Sequence, residues 1–269
     1  MTEDVFLASP SSIKNKEIFI LKKFKELLTE FSVLQKNLPP VVVAMFFLSI
    51  VAMNLLANKS IGGLPEWLAL DCGIIFSWVT FLLMDMVVKR YGMRAGNFLS
   101  VAALFANLFV ALMFFFAGLI PGTWGESYVE GSEAVINVAL DNTFRGTWFV
   151  LLGSSAAFLL AAFVNNGLNF IIGKAIKKKN FGEFALRAYV STFIGQFVDN
   201  FTFALIVSHN FFGWTMLQCV TCALTGAVAE LLFEVLFSPI GYRVAKKWEA
   251  NKVGQNYLDY LQQKKEKTA

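Results

Sequence analysis

The sequence predicts an all-α integral membrane protein with six transmembrane helices and both termini in the cytoplasm. Three observations predict it. The 269-residue chain is 57% apolar and holds 29 Phe, while charged residues make up only 16%, against roughly 25% in soluble domains; its mean hydropathy is +0.59. Apolar runs long enough to span a bilayer follow one another along the chain. Lysine and arginine collect in alternate connections, and the connections between those are short and neutral, or acidic. By the positive-inside rule, the basic connections lie in the cytoplasm.

Residues 1–38 read as a cytoplasmic or interfacial amphipathic head. Ile20, Phe24, Leu27, Phe31 and Leu34 recur at helical spacing, with Lys22, Lys23, Lys25, Glu26 and Glu30 on the other faces. That pattern suits a helix at the headgroup level with its lysines near anionic lipid, or a helical extension packed on the cytoplasmic side. Pro39-Pro40 stops it.

The six-helix transmembrane domain occupies residues 39–238. Its spans are expected at about 39–58, 67–88, 95–118, 147–173, 186–207 and 214–237. The basic loop around Lys89, Arg90 and Arg94 follows the second span, and Lys174, Lys177, Lys178, Lys179 and Arg187 follow the fourth. Between the third and fourth lies the longest loop, 119–146, acidic through Glu126, Glu130, Glu133 and Asp141. Ser238-Pro239 is expected to end the sixth span, leaving 239–269 as a cytoplasmic polar tail.

Cys219 and Cys222 form a C-x-x-C, but with no second cysteine pair and a single His209 they read as small residues of a membrane helix. No metal site and no cofactor is expected. The basic residues do not form a patch with base-stacking aromatics, which excludes nucleic acid as a partner. A cleavable signal peptide is not visible, and neither is a phosphate-cradling Gly-rich motif.

Polar residues inside the spans carry the chemistry. The fifth contains S-T-F-I-G-Q-F-V-D-N-F-T-F, residues 191–203. A carboxylate near the middle of a membrane helix costs roughly 2.5–3.5 kcal/mol on insertion scales, so it needs a reason to be there. At about 100° per residue, Thr192, Gln196, Asp199, Asn200 and Phe203 share one face. Glu230 and Glu234 lie one turn apart on the sixth span, above a stripe of small residues. Asp71 and Asp85 lie towards the two ends of the second span, Arg145 enters the fourth, and the inner half of the fourth holds Asn165, Asn166 and Asn169. Asp71, Asp85 and Glu234 are near enough to an interface for simple hydration, and the asparagines suit interhelical hydrogen bonding. Asp199 and Glu230 are deeper and read as a site. Asp199 is about eight to eleven residues from the outer end of its span and Glu230 about sixteen, so at about 1.5 Å per residue their depths differ by roughly 8–12 Å.

The fifth-span stretch resembles the "S-x-x-x-G-Q-x-x-D-x-x-x-F" motif of the queuosine-precursor transporter family, also described as a vitamin uptake transporter family. Asp85 with Tyr91-Gly92 and Arg94-Ala95 is similar to the family's D-x-x-x-E-x-Y-G-x-x-x-A element, Phe144-Arg145 to its F-x-R entry, and Glu234 with Ser238-Pro239 to its E-x-x-x-x-P ending. Lys89 stands where that element has Glu, and Asn200 where the family often has Thr or Ser. The resemblance spans about residues 64–249. It implies a multi-pass transporter of the bacterial cytoplasmic membrane, without enzymatic activity, importing a 7-deazaguanine base: the cyano- or aminomethyl-deazaguanine precursor, or queuine.

The residues suit such a purine-like cargo. A carboxylate pairs with the N–H donors of a guanine edge, an amide with its carbonyl, and an aromatic face stacks on the ring. The expected substrate-binding residues are Gln196, Asp199, Asn200, Phe203, Glu230, Glu234, Arg145 and Asp85. Uptake is then facilitated, ion-coupled through a buried carboxylate such as Asp199 or Glu230, or driven by an energising partner; a homo-oligomer is a further expected form. The alternatives are a substrate-binding subunit of an energy-coupling-factor vitamin importer and an intramembrane enzyme.

Overall fold

The computed structural model describes residues 10–267 except 58, 60, 64, 66–71, 125–132, 146–147, 177–179 and 211–212; the side chains of 10–17, 133–134, 145 and 148–151 also lie outside the description. Among the described residues every regular element is helical: α1 (Pro10–Gln35), α2 (Pro40–Leu56), α3 (Ile74–Tyr91), α4 (Met93–Ala117), α5 (Glu133–Arg145), α6 (Trp148–Ala175), α7 (Phe181–Phe203), α8 (Met216–Ala250) and α9 (Gln255–Glu266), with a π-helical turn (Ala204–His209) continuing α7. The chain forms two compact units, residues 1–38 with 253–269, and residues 39–252.

In the smaller unit, Lys264 of α9 donates to Glu30 of α1 at 2.9 Å. Leu34 is buried, whereas Ile18, Phe19, Ile20, Leu21, Phe24 and Leu28 are exposed. Apolar exposure thus runs wider around α1 than the single expected stripe.

The larger unit is built inside out relative to a soluble protein. Its outer surface carries Phe105, Phe109 and Leu112 of α4 and Leu217, Leu232 and Leu236 of α8, while Asp85, Asn165, Asn166, Asn169, Gln196 and Glu234 are fully buried. In water such apolar exposure would be one large adhesive patch; in lipid it is the solvated face. Four stretches among the described residues are long and apolar enough to cross a membrane: Met93–Ala117, Leu152–Ala175, Phe181–His209 and Met216–Ala250. Two other expected spans coincide with α2, of 17 residues, and α3, of 18, whose second half carries Asp85, Lys89 and Arg90. The expected start of the second span at residue 67, together with Asp71, lies outside the described residues.

Local sequence sets the helix ends. Asn180 caps α7 by accepting from the Glu183 backbone N–H at 3.0 Å, and Thr215 with Gln218 forms a capping box at the start of α8. Gly92, at φ 90°, separates α3 from α4, a conformation costly for residues with a Cβ. Two features depart from expectation. Pro239 does not end its helix, because α8 runs through it to Ala250. The acidic connection, expected as a loop, contains α5: the Trp124 indole donates to Asp141 at 2.9 Å, and Phe144 stacks on Trp124 and packs against Phe114 of α4. These contacts bind the connection to the end of α4.

The central helices mesh with constant register. Gly153 of α6 meets Val207, Gly195 of α7 meets Asn165, and Gly173 of α6 meets Arg187; Asn169 donates to Ser191 at 3.4 Å. The partners recur in steps of four residues, the ridge along which small residues let two helices approach closely. A Cβ on Gly195 would lie 2.9 Å from the Phe81 ring and 3.0 Å from the Asn165 Cβ, so a glycine is required there.

Candidate functional site

α7 and α8 run antiparallel with Tyr189 bonded to Ser238 at 2.8 Å and Asn200 packed on Gly226. Moving from Tyr189 up to Asn200 matches moving from Ser238 back to Gly226, so Gln196 falls level with Glu230 and Thr192 with Glu234. This corrects the depth count made on sequence. Asp199 falls level with Ala227, three residues from Glu230, an axial offset of about 4.5 Å rather than 8–12 Å. The reason is where the helices end: α7 continues as the π turn to His209, which falls level with residue 217, and α8 starts only at Met216. Asp199 therefore lies deeper, and Glu230 less deep, than ends at about 207 and 214 imply.

Two layers of polar side chains result. In the first, Ser77 of α3 donates to Glu230 at 2.6 Å, across from Gln196, which is fully buried with both amide atoms unpartnered. The Nδ2 of Asn200 is likewise unpartnered. Asp199 and Phe203 continue this face further along α7 and are half-buried. Beside Ser77, Trp78 stacks on Phe237 of α8, ring centroids 4.2 Å apart, and on Phe233 at 5.9 Å.

The second layer centres on Asp85. Asn165 of α6 donates to it at 3.0 Å, and Asn169 and Ser191 lie near the same carboxyl. Glu234 of α8 interacts with it electrostatically. Both oxygens of Glu234, Oδ2 of Asp85, Oδ1 of Asn165 and Asn169, and Oγ1 of Thr192 have no partner. Asp85 and Glu234 are therefore interior groups, and the interfacial hydration allowed for on sequence does not apply: both are fully buried.

Beyond Asp85 the buried charges are paired. Glu183 holds Lys89 of α3 at 3.0 Å and Arg187 at 3.3 Å, and Arg187 also interacts electrostatically with Asp85. The sequence placed Arg187 in a solvated basic loop, and its burial was missed. The available signal was its position one turn after Glu183, an i,i+4 pair already inside an apolar run. The Arg145 side chain lies outside the described residues; its backbone ends α5 rather than entering the next span. Cys219 and Cys222 are buried and not disulfide-bonded, and among the described residues no group of three or more His, Cys, Asp or Glu is disposed for a metal.

Uncommitted buried donors and acceptors inside a lipid-facing helical shell define a polytopic membrane protein with a polar interior, the architecture of a solute carrier. A family model described as "Putative vitamin uptake transporter" matches residues 71–244. That is well over half of the chain, and the chain belongs to this family of membrane transporters. No curated protein and no solved structure matches it.

Proposed function

We propose that this protein imports a 7-deazaguanine base, a queuosine precursor, across a bacterial cytoplasmic membrane, using six spans with both termini in the cytoplasm. The observation that carries the reading is the level pairing of Gln196 with Glu230. A carboxylate held by Ser77 stands across from an amide with both atoms uncommitted, matching the donor-rich edge and ring carbonyl of a guanine-like base. The carboxylate of Glu230 accepts the ring N–H and exocyclic amine, the Gln196 N–H donates to the carbonyl, and Asn200 adds a second amide. Phe203 and Trp78 supply aromatic surface. Asp199, within about 4.5 Å of the same level, is a second acceptor for the same cargo. The exposed apolar residues of α1 and the lysines of that helix support its lying against lipid headgroups.

The test is equilibrium binding to the purified full chain of cyano- and aminomethyl-deazaguanine and queuine, with guanine, hypoxanthine and a vitamin as competitors. Tight binding of a deazaguanine, weakened in Gln196→Leu and Glu230→Gln, is the expected result. Binding of a vitamin with none of any deazaguanine overturns the substrate. Co-purification with a separate coupling subunit would move the protein to the energy-coupling-factor class.

A further inference from the structure

The second polar layer holds more negative charge than positive, because Arg187 reaches Asp85 but is shared with Glu183. Asp85 and Glu234 interact across the α3–α8 contact, and both are fully buried. The charged groups that face them can be named element by element. From α7 come Arg187 and Glu183, and from α3 itself Lys89; Glu183 already binds both cations. On α8, Glu230 adds another negative charge one turn away. α2 has no charged residue, α4 only the exposed Arg94, and α6 only the exposed Lys174. With Lys89 and Arg187 set against Glu183 and Asp85, Glu234 remains without a counter-charge, and neither of its oxygens has a hydrogen bond.

The neutral neighbours point the same way. Asn165 must turn its Nδ2 towards Asp85, because an ionised carboxylate only accepts. Asn169 turns its Nδ2 to Ser191, whose hydroxyl proton goes to the Ala188 carbonyl. Each asparagine is thereby left with a buried carbonyl oxygen that has no hydrogen-bond partner. The uncommitted atoms of Asp85, Glu234, Asn165 and Asn169 are all acceptors; the open donors nearby, Nε and Nη2 of Arg187 and the Thr192 hydroxyl, belong to the cation already set against Asp85 and to a neutral side chain. Two carboxylates with neutral amide oxygens suit one unit of positive charge better than a divalent ion, for which more carboxylates are usual.

We propose that Asp85 and Glu234, with the amide oxygens of Asn165 and Asn169, form a site for one monovalent cation, a sodium ion or a proton, about one helical turn from the cargo layer. The site stands whatever the cargo is; its use in driving uptake rests on the transport reading above.

A cargo-free measurement tests it. The melting temperature of the purified full chain is followed in sodium chloride against choline chloride at equal ionic strength, at several pH values. Wild-type protein gains a stabilisation from sodium, or from acidification alone if the cation is a proton. Glu234→Gln, nearly isosteric, loses that response. Asn169→Leu removes an amide oxygen; it weakens a sodium response and leaves a proton response intact, which separates the two ions. A wild-type protein indifferent to both sodium and pH overturns the site, as does a full response in Glu234→Gln. In proteoliposomes, the same ion gradient is expected to drive accumulation of the base. If the ion response is present and no deazaguanine binds, the cargo reading fails while the site stands.

Discussion

Two clusters of buried charge share the same helices and behave differently. Around Glu183, the carboxylate is answered by Lys89 at 3.0 Å and Arg187 at 3.3 Å, although Nε and Nη2 of Arg187 stay open. Around Gln196 and Glu234, equally buried, the polar atoms are left open. An interior that cannot hydrate its polar groups must either pair them or keep them for something that arrives. We read the first cluster as a fastening and the second as the candidate site, and substitution should separate them: loss of the fastening costs stability, whereas loss of the candidate site costs binding.

The largest effect is expected at the fastening. Glu183→Ala strands the buried Arg187 and the half-buried Lys89 and should destabilise the fold by about 3 kcal/mol, read as a fall in melting temperature and in the yield of monodisperse protein. Unchanged melting would show that the charges reach water and that the cluster does not hold the helices. Next is the close approach beside the site. Gly195→Ala forces a Cβ against Phe81 and Asn165 and should cost about 1–3 kcal/mol, because neither neighbour is the free end of a flexible chain.

At the site the sign reverses. Gln196→Leu removes two unpartnered buried atoms and should leave melting unchanged or raised, while base affinity falls by roughly 10-fold or more, the equivalent of about 1.4 kcal/mol or above. A stability loss with unchanged affinity would assign Gln196 to structure. The smallest effect belongs to a position in neither cluster. Asn180→Ala deletes the α7 cap and should cost about 1 kcal/mol with affinity intact, a control for indirect damage to the same helix.

Much of this was legible in the chain. The apolar runs located the long helices, since a bilayer tolerates little else. The polar face of residues 192–203 was readable from periodicity, and Gln196 and Asn200 do carry unpartnered atoms in the interior. The parts that were not legible depend on register. Asp85 read as an interfacial residue because distance from a helix end is the only depth gauge a sequence offers. In the fold it is buried by α6 and α7, which bring Asn165 and Ser191 to it. Arg187 read as a loop cation because it follows a lysine run, yet α7 begins at Phe181 and carries it inside.

The sequence by itself determined that the chain is helical and membrane-embedded, which family it resembles, and which residues are too polar for their surroundings, because those properties follow from transfer energies summed along a single helix. Tertiary structure alone decided which of these residues meet. Gly153, Gly173, Gly195 and Gly226 set how closely α6, α7 and α8 approach, and that approach fixes a register in which Gln196 falls level with Glu230 and Asn165 reaches Asp85. No single helix contains that information, because the close contact of small residues is a property of the pair.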